Sequence, residues 1–186
     1  MRYLIPLLVL LIMVFFLWRG LEKDPNLLPS PLINQAIPEF SARDLLKNHA
    51  TFRKKIFLQH WTLLIVWSSW CLTCTEEQSF LLKLQKSHFI PIYGLNYRDK
   101  FNQAKQWLKK QGNPFQKIIF DPHGLFAIDL GVYGVPESYL IDPQGIIRYK
   151  QVGPLTASIW LENMATLIKQ PNKNSNEINR RLCCNI

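Results

Sequence analysis

Residues 3–18 form a run of large, mostly apolar side chains with no charge between Arg2 and Arg19. As a helix rising ~1.5 Å per residue this run spans ~24 Å, a little short of a ~30 Å hydrocarbon core. Arg2 and Arg19 can reach headgroups from its ends, and Tyr3 and Trp18 suit the interfaces. No small-x-small cleavage pattern follows Trp18. The pattern predicts one N-terminal transmembrane helix, an uncleaved anchor over residues 1–19. Prolines at 25, 29, 31 and 38 then mark a stiff linker over residues 20–37. A folded domain is expected over residues 38–170. Residues 171–186 are polar and are expected to be a disordered tail.

Within the domain the periodicity changes repeatedly. Residues 62–67 (Thr-Leu-Leu-Ile-Val-Trp) are apolar without alternation, which predicts a strand buried on both faces. A helix follows to about residue 87. Residues 89–93 read as a second strand. Over 99–111 the apolar Phe101, Ala104, Trp107 and Leu108 share one helical face, and Gly112 is a stop. A strand over 117–120, a helix over 122–130, and strands over 138–141 and 146–149 come next. Asp142-Pro143-Gln144-Gly145 reads as the hairpin turn between the last two. A helix over 156–169 buries Ile159, Trp160, Met164, Leu167 and Ile168. Residues 42–47 predict a short helical turn, and the basic, aromatic stretch 51–61 receives no assignment. Helices between strands imply parallel pairing, and the hairpin adds an antiparallel edge. The fold class is α/β, a central mixed sheet flanked by helices.

The net charge of +9 raises the question of nucleic acid. The basic residues are scattered, however, and no phosphate loop or zinc module accompanies them. A basic surface beside an anionic membrane accounts for the charge more simply, and no nucleic-acid partner is expected.

Cysteine carries the chemistry. Cys71 and Cys74 stand three apart where the strand over 62–67 gives way to a helix. Residues at that spacing lie one turn apart on one helix face, so the pair can close a disulfide or open to two thiols with little backbone movement. Cys71 sits where the helix N-terminus favours a thiolate. Half of a zinc site is an alternative, but the other cysteines are the adjacent Cys183 and Cys184 near the C-terminus. A purely structural disulfide is another; so short a loop removes little unfolded-state entropy. The terminal cysteines make a poor prenylation signal and are read as incidental.

Several motifs surround the pair: residues 66–74 (Val-Trp-Ser-Ser-Trp-Cys-Leu-Thr-Cys), Glu77, residues 94–99 (Gly-Leu-Asn-Tyr-Arg-Asp), Asn113-Pro114, Phe120-Asp121, residues 129–137 (Asp-Leu-Gly-Val-Tyr-Gly-Val-Pro-Glu), Leu140-Ile141-Asp142 and residues 145–149. In these the chain resembles the DsbE (CcmG) family, membrane-anchored thiol:disulfide interchange proteins of cytochrome c maturation with a thioredoxin-like fold. The resemblance covers roughly residues 38–160. It implies that Cys71 is the nucleophile and Cys74 the resolving thiol. It implies that Pro136 is a cis-proline, that Val135 pairs with a bound peptide backbone, and that Trp70 shapes the docking surface. It gives Glu77 and Glu137 the part of tuning the thiol pKa, a nearby carboxylate raising it; Glu76 is read as an ordinary first-turn acid. Leu72 departs from the usual proline, and this dipeptide bears on the reduction potential.

The expected function is that of a periplasmic reductase tethered to a bacterial inner membrane. It would reduce the Cys-x-x-Cys-His disulfide of apocytochrome c before haem attachment, and a transmembrane thiol electron donor of the DsbD type would recharge it. No cofactor beyond the redox-active disulfide and no metal is expected. The alternatives are a general extracytoplasmic thiol-disulfide oxidoreductase, or a copper-binding protein of the same fold with His123 as a ligand.

Overall fold

The computed structural model describes residues 4–21, 32–47 and 50–169. Most of the linker and all of the expected tail, with Cys183 and Cys184, lie outside the described residues. Helix α1 (Leu4–Leu21) is apolar, and its side chains from Leu7 to Trp18 are all exposed. Among the described residues no helix is long and apolar enough to cross a membrane.

The rest builds one seven-stranded sheet in the order β2-β1-β5-β4-β3-β6-β7. Its strands are β1 (Ser41–Asp44), β2 (Thr51–Arg53), β3 (Thr62–Trp67), β4 (Ile92–Tyr97), β5 (Lys117–Asp121), β6 (Glu137–Ile141) and β7 (Ile147–Val152). Strands β3, β4 and β5 run parallel, whereas β1, β2, β6 and β7 join by antiparallel pairing. Helix α2 (Leu72–Lys86) links β3 to β4, α3 (Phe101–Gln111) links β4 to β5, and α4 (Leu125–Asp129) follows β5.

All six side chains of β3 are buried. Leu63, Ile65 and Trp67 face α2, α3 and the closing helix, in a core with Leu81, Leu84, Ala104, Leu108, Trp160 and Met164. Leu64 and Val66 face the second core, with Ile37, Phe57, Phe126 and Tyr139. The run lacks alternation because both faces of the strand are covered. Trp67 stacks between Trp107 and Phe115, with ring centroids 4.8 and 5.5 Å away.

Four expectations about elements change, and one unassigned stretch gains structure. Residues 42–47 do not form a helical turn: Ser41–Asp44 is strand, paired with both β2 and β5. The open edge of β5 offers unpaired backbone groups, and pairing with them outweighs a weak local helical pattern. The unassigned basic stretch supplies β2 and a 3-10 helix, Lys54–Phe57, which buries Phe57. Strand β4 begins at Ile92 and runs through Tyr97, later than residues 89–93, because its ladder with β3 extends from Leu63↔Ile92 to Trp67↔Asn96. Helix α4 is shorter than 122–130: the Asp121 carboxylate accepts the Leu125 and Ala127 N–H groups, and Gly124 ahead of it is left-handed at φ 72°. The closing helix begins as Ala157–Ile159, passes through a π turn over Trp160–Met164 and ends as Ala165–Lys169.

Gly94 lies within β4 because the aromatic stack leaves no room for a side chain. A Cβ there would lie 2.7 Å from Trp67 Nε1 and 3.1 Å from the Phe115 ring. Gly94→Ala is expected to cost about 1–3 kcal/mol through overpacking, read as a lower urea midpoint with an unchanged slope. Gly134→Ala, where an added methyl meets nothing within 4 Å, should stay within about 0.5 kcal/mol of the parent.

Candidate active site

The carboxyl ends of β3, β4 and β5 share one edge of the sheet, and α2 starts there. Cys71 is the N-cap of α2, with extended backbone, and its Sγ accepts from the Cys74 N–H at 3.0 Å. Cys71 and Cys74 form a disulfide of 2.01 Å with Cα atoms 5.4 Å apart. Thr73 Oγ1 lies 3.5 Å from Cys71 Sγ. A thiolate at Cys71 would therefore meet a backbone N–H, a hydroxyl and the positive end of a helix. Both sulfurs are largely buried, but the flanking Trp70 and Leu72 are 59% and 78% exposed. The two exposed apolar side chains flank the buried Cys71 directly in sequence.

The segment before Cys71 is tied to the end of β4. Asp99 accepts from Ser69 N–H at 2.6 Å, Ser69 Oγ at 2.7 Å, Lys100 N–H at 2.7 Å and the Asn96 amide at 3.0 Å. Ser68 Oγ donates to the Tyr97 carbonyl, and Trp70 Nε1 to the Arg98 carbonyl at 3.1 Å.

Glu77 lies one turn beyond Cys74 on the buried face of α2. One carboxylate oxygen accepts the Leu155 N–H at 2.7 Å, and the other, Oε1, has no partner among the described residues. Burial pushes the Glu77 carboxyl up from its ordinary 4.5 to about 7, and the Leu155 N–H only partly offsets it.

Glu137 opens β6 opposite Val66, beside the carboxyl end of β3. Its Oε1 accepts the Tyr133 and Gly134 N–H groups at 2.8 and 3.3 Å. Its Oε2 accepts the Tyr139 hydroxyl at 2.8 Å and pairs with Lys150 Nζ at 3.1 Å. Lys150 in turn donates to the Gly131 carbonyl at 2.7 Å and lies over the Tyr133 ring. Burial first, and the Glu137 charge second, push the Tyr139 hydroxyl well above the usual phenol range. The Glu137 carboxylate thus holds the loop that carries Val135 and Pro136, whose peptide bond is cis. Val135 packs against both cores.

The chain folding therefore brings Trp70, Cys71, Cys74, Glu77, Val135, Pro136 and Glu137 to one end of the sheet. His123 follows β5 and is exposed, lining a groove with Phe40, Arg43 and Phe126. Among the described residues no group of three or more His, Cys, Asp or Glu side chains is placed to hold a metal ion. Sequence reasoning missed Asp99, Asn96, Ser69 and Lys150. The motif over 94–99 signalled the first two, but nothing local indicated what they hold.

Glu77 makes stability depend on pH. Between pH 4.5 and about 7 the unfolded chain has lost this proton while the native chain keeps it. Stability therefore falls as pH rises through that window and levels off above it, the full penalty being roughly 3 kcal/mol. Glu77→Gln keeps an acceptor for Leu155 and carries no charge. It should match the parent near pH 4 and exceed it at pH 8, with most of this slope gone, as measured by urea unfolding of the oxidised protein.

The model of the AhpC/TSA family matches residues 33–150. The chain is 37% identical over 167 residues to the thiol:disulfide interchange protein DsbE of Allochromatium vinosum, covering 90% of this chain and 92% of that one. It is 38% identical over 176 residues to the DsbE of Escherichia coli (strain K12), covering 91% and 95%. The solved structure of a thiol-disulfide oxidoreductase from Bacteroides fragilis superposes with a TM-score of 0.61 at 20% identity, over 72% of this chain and 99% of that one. That likeness shows the thioredoxin-like fold. With its cysteine pair closed at the head of α2, the chain belongs to the DsbE family of thiol:disulfide interchange proteins and is a thiol-disulfide oxidoreductase.

Proposed function

We propose that this protein is a membrane-tethered periplasmic reductase that opens the Cys-x-x-Cys-His disulfide of apocytochrome c before haem attachment. The observation that carries the direction of transfer is the buried acid beside the dithiol. Glu77 is forced to share the interior with Cys74, and once ionised it disfavours a thiolate nearby. Although the helix N-terminus favours a thiolate at Cys71, an acid that disfavours one at Cys74 makes the reduced pair give up its electrons more readily, the reverse of the strongly oxidising DsbA.

In the reduced state the Cys71 thiolate attacks one sulfur of the partner disulfide, and the partner's other sulfur leaves with the electron pair. Cys74, as thiolate, then attacks Cys71 in the mixed disulfide and releases the partner's second sulfur. The partner gains two electrons and two protons, and the Cys71–Cys74 bond closes to the state seen here. Glu77 can take the Cys74 proton. A dithiol donor of the DsbD type returns the pair to the reduced form. Trp70, Leu72 and Tyr133, all exposed, form an apolar rim suited to an unfolded polypeptide, and Val135 would meet its backbone. No step calls for a bound cofactor.

Helix α1, together with the sequence that flanks it, is proposed as the inner-membrane anchor. Its 18 residues give ~27 Å, a little short of a ~30 Å core, and its side chains from Leu7 to Trp18 are exposed. Arg19 lies in its last turn, where it can reach headgroups.

Cys74→Ala, expressed in cells, should accumulate a mixed disulfide through Cys71. Apocytochromes are the expected captives; recovery only of unrelated secreted proteins would move the assignment to a general oxidoreductase. A reduction potential near the ~−120 mV of DsbA would instead make it an oxidase. The parent chain should stay with membranes through alkaline carbonate extraction, and a chain lacking residues 1–21 should be released.

A further inference from the structure

The motif over residues 94–99 has no part in the exchange steps above, yet its Asp99 carboxylate is heavily used at the sheet's carboxyl edge. It is only 6% exposed and accepts four hydrogen bonds, every one from a donor. Its bond from Lys100 N–H is an ordinary local turn. The bonds from Ser69 N–H and Ser69 Oγ are not, because they cross 30 residues to the segment that leads directly into Cys71. The Cys71 N–H in turn bonds the Ser68 carbonyl at 3.2 Å. Ser69 is thus clamped between β4 and the start of α2, with Trp70 latched by its indole to Arg98.

We infer that Asp99 is a positioning residue of the exchange reaction: it holds residues 69–71 so that the Cys71 sulfur stays at the N-terminus of α2, where the N–H groups favour its thiolate. The inference rests on Cys71 being the attacking sulfur, which the Cys74→Ala trap decides separately. Two effects of Asp99 oppose each other. Its charge, like those of Glu76 and Glu77 on α2 and Glu137 on β6, disfavours a thiolate; Arg98 and Lys100 beside it favour one. Its geometry favours the thiolate by keeping the sulfur on the helix end. Four donors already face the carboxylate, so its charge is largely compensated locally, and geometry outweighs it. An asparagine at 99 cannot reproduce the clamp, since its NH₂ would face an existing donor.

The test is the pH dependence of Cys71 alkylation in the reduced full-length chain, with Cys183 and Cys184 replaced by serine throughout. Asp99→Asn should raise the apparent Cys71 pKa and slow alkylation at pH 7 about 3- to 10-fold, in step with the lost thiolate fraction. Ser69→Ala, which removes one of the two Ser69 donors, should shift it the same way by less. Glu76→Gln, which removes a nearby charge without touching the clamp, should not raise it. A lowered or unmoved pKa in Asp99→Asn, even with a lower unfolding midpoint, overturns the inference and leaves Asp99 a charge or a fold-stabilising group. Should Asp99→Asn fail to fold, Ser69→Ala decides alone: an unmoved pKa overturns the inference.

Discussion

Strand β3 carries six consecutive buried side chains, and a slip of one residue would transfer each from one core to the other. Trp67, wedged between Trp107 and Phe115, would then have to leave a stack that already excludes a side chain at Gly94. The register of β3 against β4 and β6 is therefore held tightly, and with it the point where the chain leaves the sheet. Cys71, four residues beyond Trp67, caps α2. Its place at a helix N-terminus, and the nearness of β6 and its cis Val135-Pro136 bond, follow from that one anchored strand.

Around the dithiol the fold buries three carboxylates and satisfies each in a different way. Asp99 is saturated by donors and serves the loop before Cys71. Glu137 is paired with Lys150 and serves the loop before Pro136. Glu77 alone of the three keeps an oxygen without a partner among the described residues, and burial pushes its carboxyl up to about 7. A saturated carboxylate acts through geometry, because its charge is compensated where it stands. An under-satisfied one acts through its proton, because desolvation sets when that proton leaves. The same carboxylate group thus supplies two loop clamps and, at Glu77, an acid whose proton burial holds more tightly.

The α/β order, the doubly buried strand, the hairpin turn at residues 142–145 and the helix bearing the cysteines were legible because each rests on local period or turn chemistry. The edge strand at Ser41–Asp44 was not: four residues carry too little pattern, and only the exposed edge of β5 makes them a strand. Glu137 shows the same division within the site. Its sequence neighbours mark an acid near the thiols, whereas its contacts show a carboxylate committed to Tyr133, Gly134, Tyr139 and Lys150. By itself the sequence marked Cys71 and Cys74 as a pair able to close and open, since two cysteines at helical spacing beyond a buried strand lie one turn apart. The tertiary structure alone decided how those sulfurs are held and how burial raises the Glu77 carboxyl. The first depends on Asp99 reaching Ser69 across 30 residues, and the second on burial that the N–H of Leu155, 78 residues away, only partly offsets; no local pattern encodes partners at such distances.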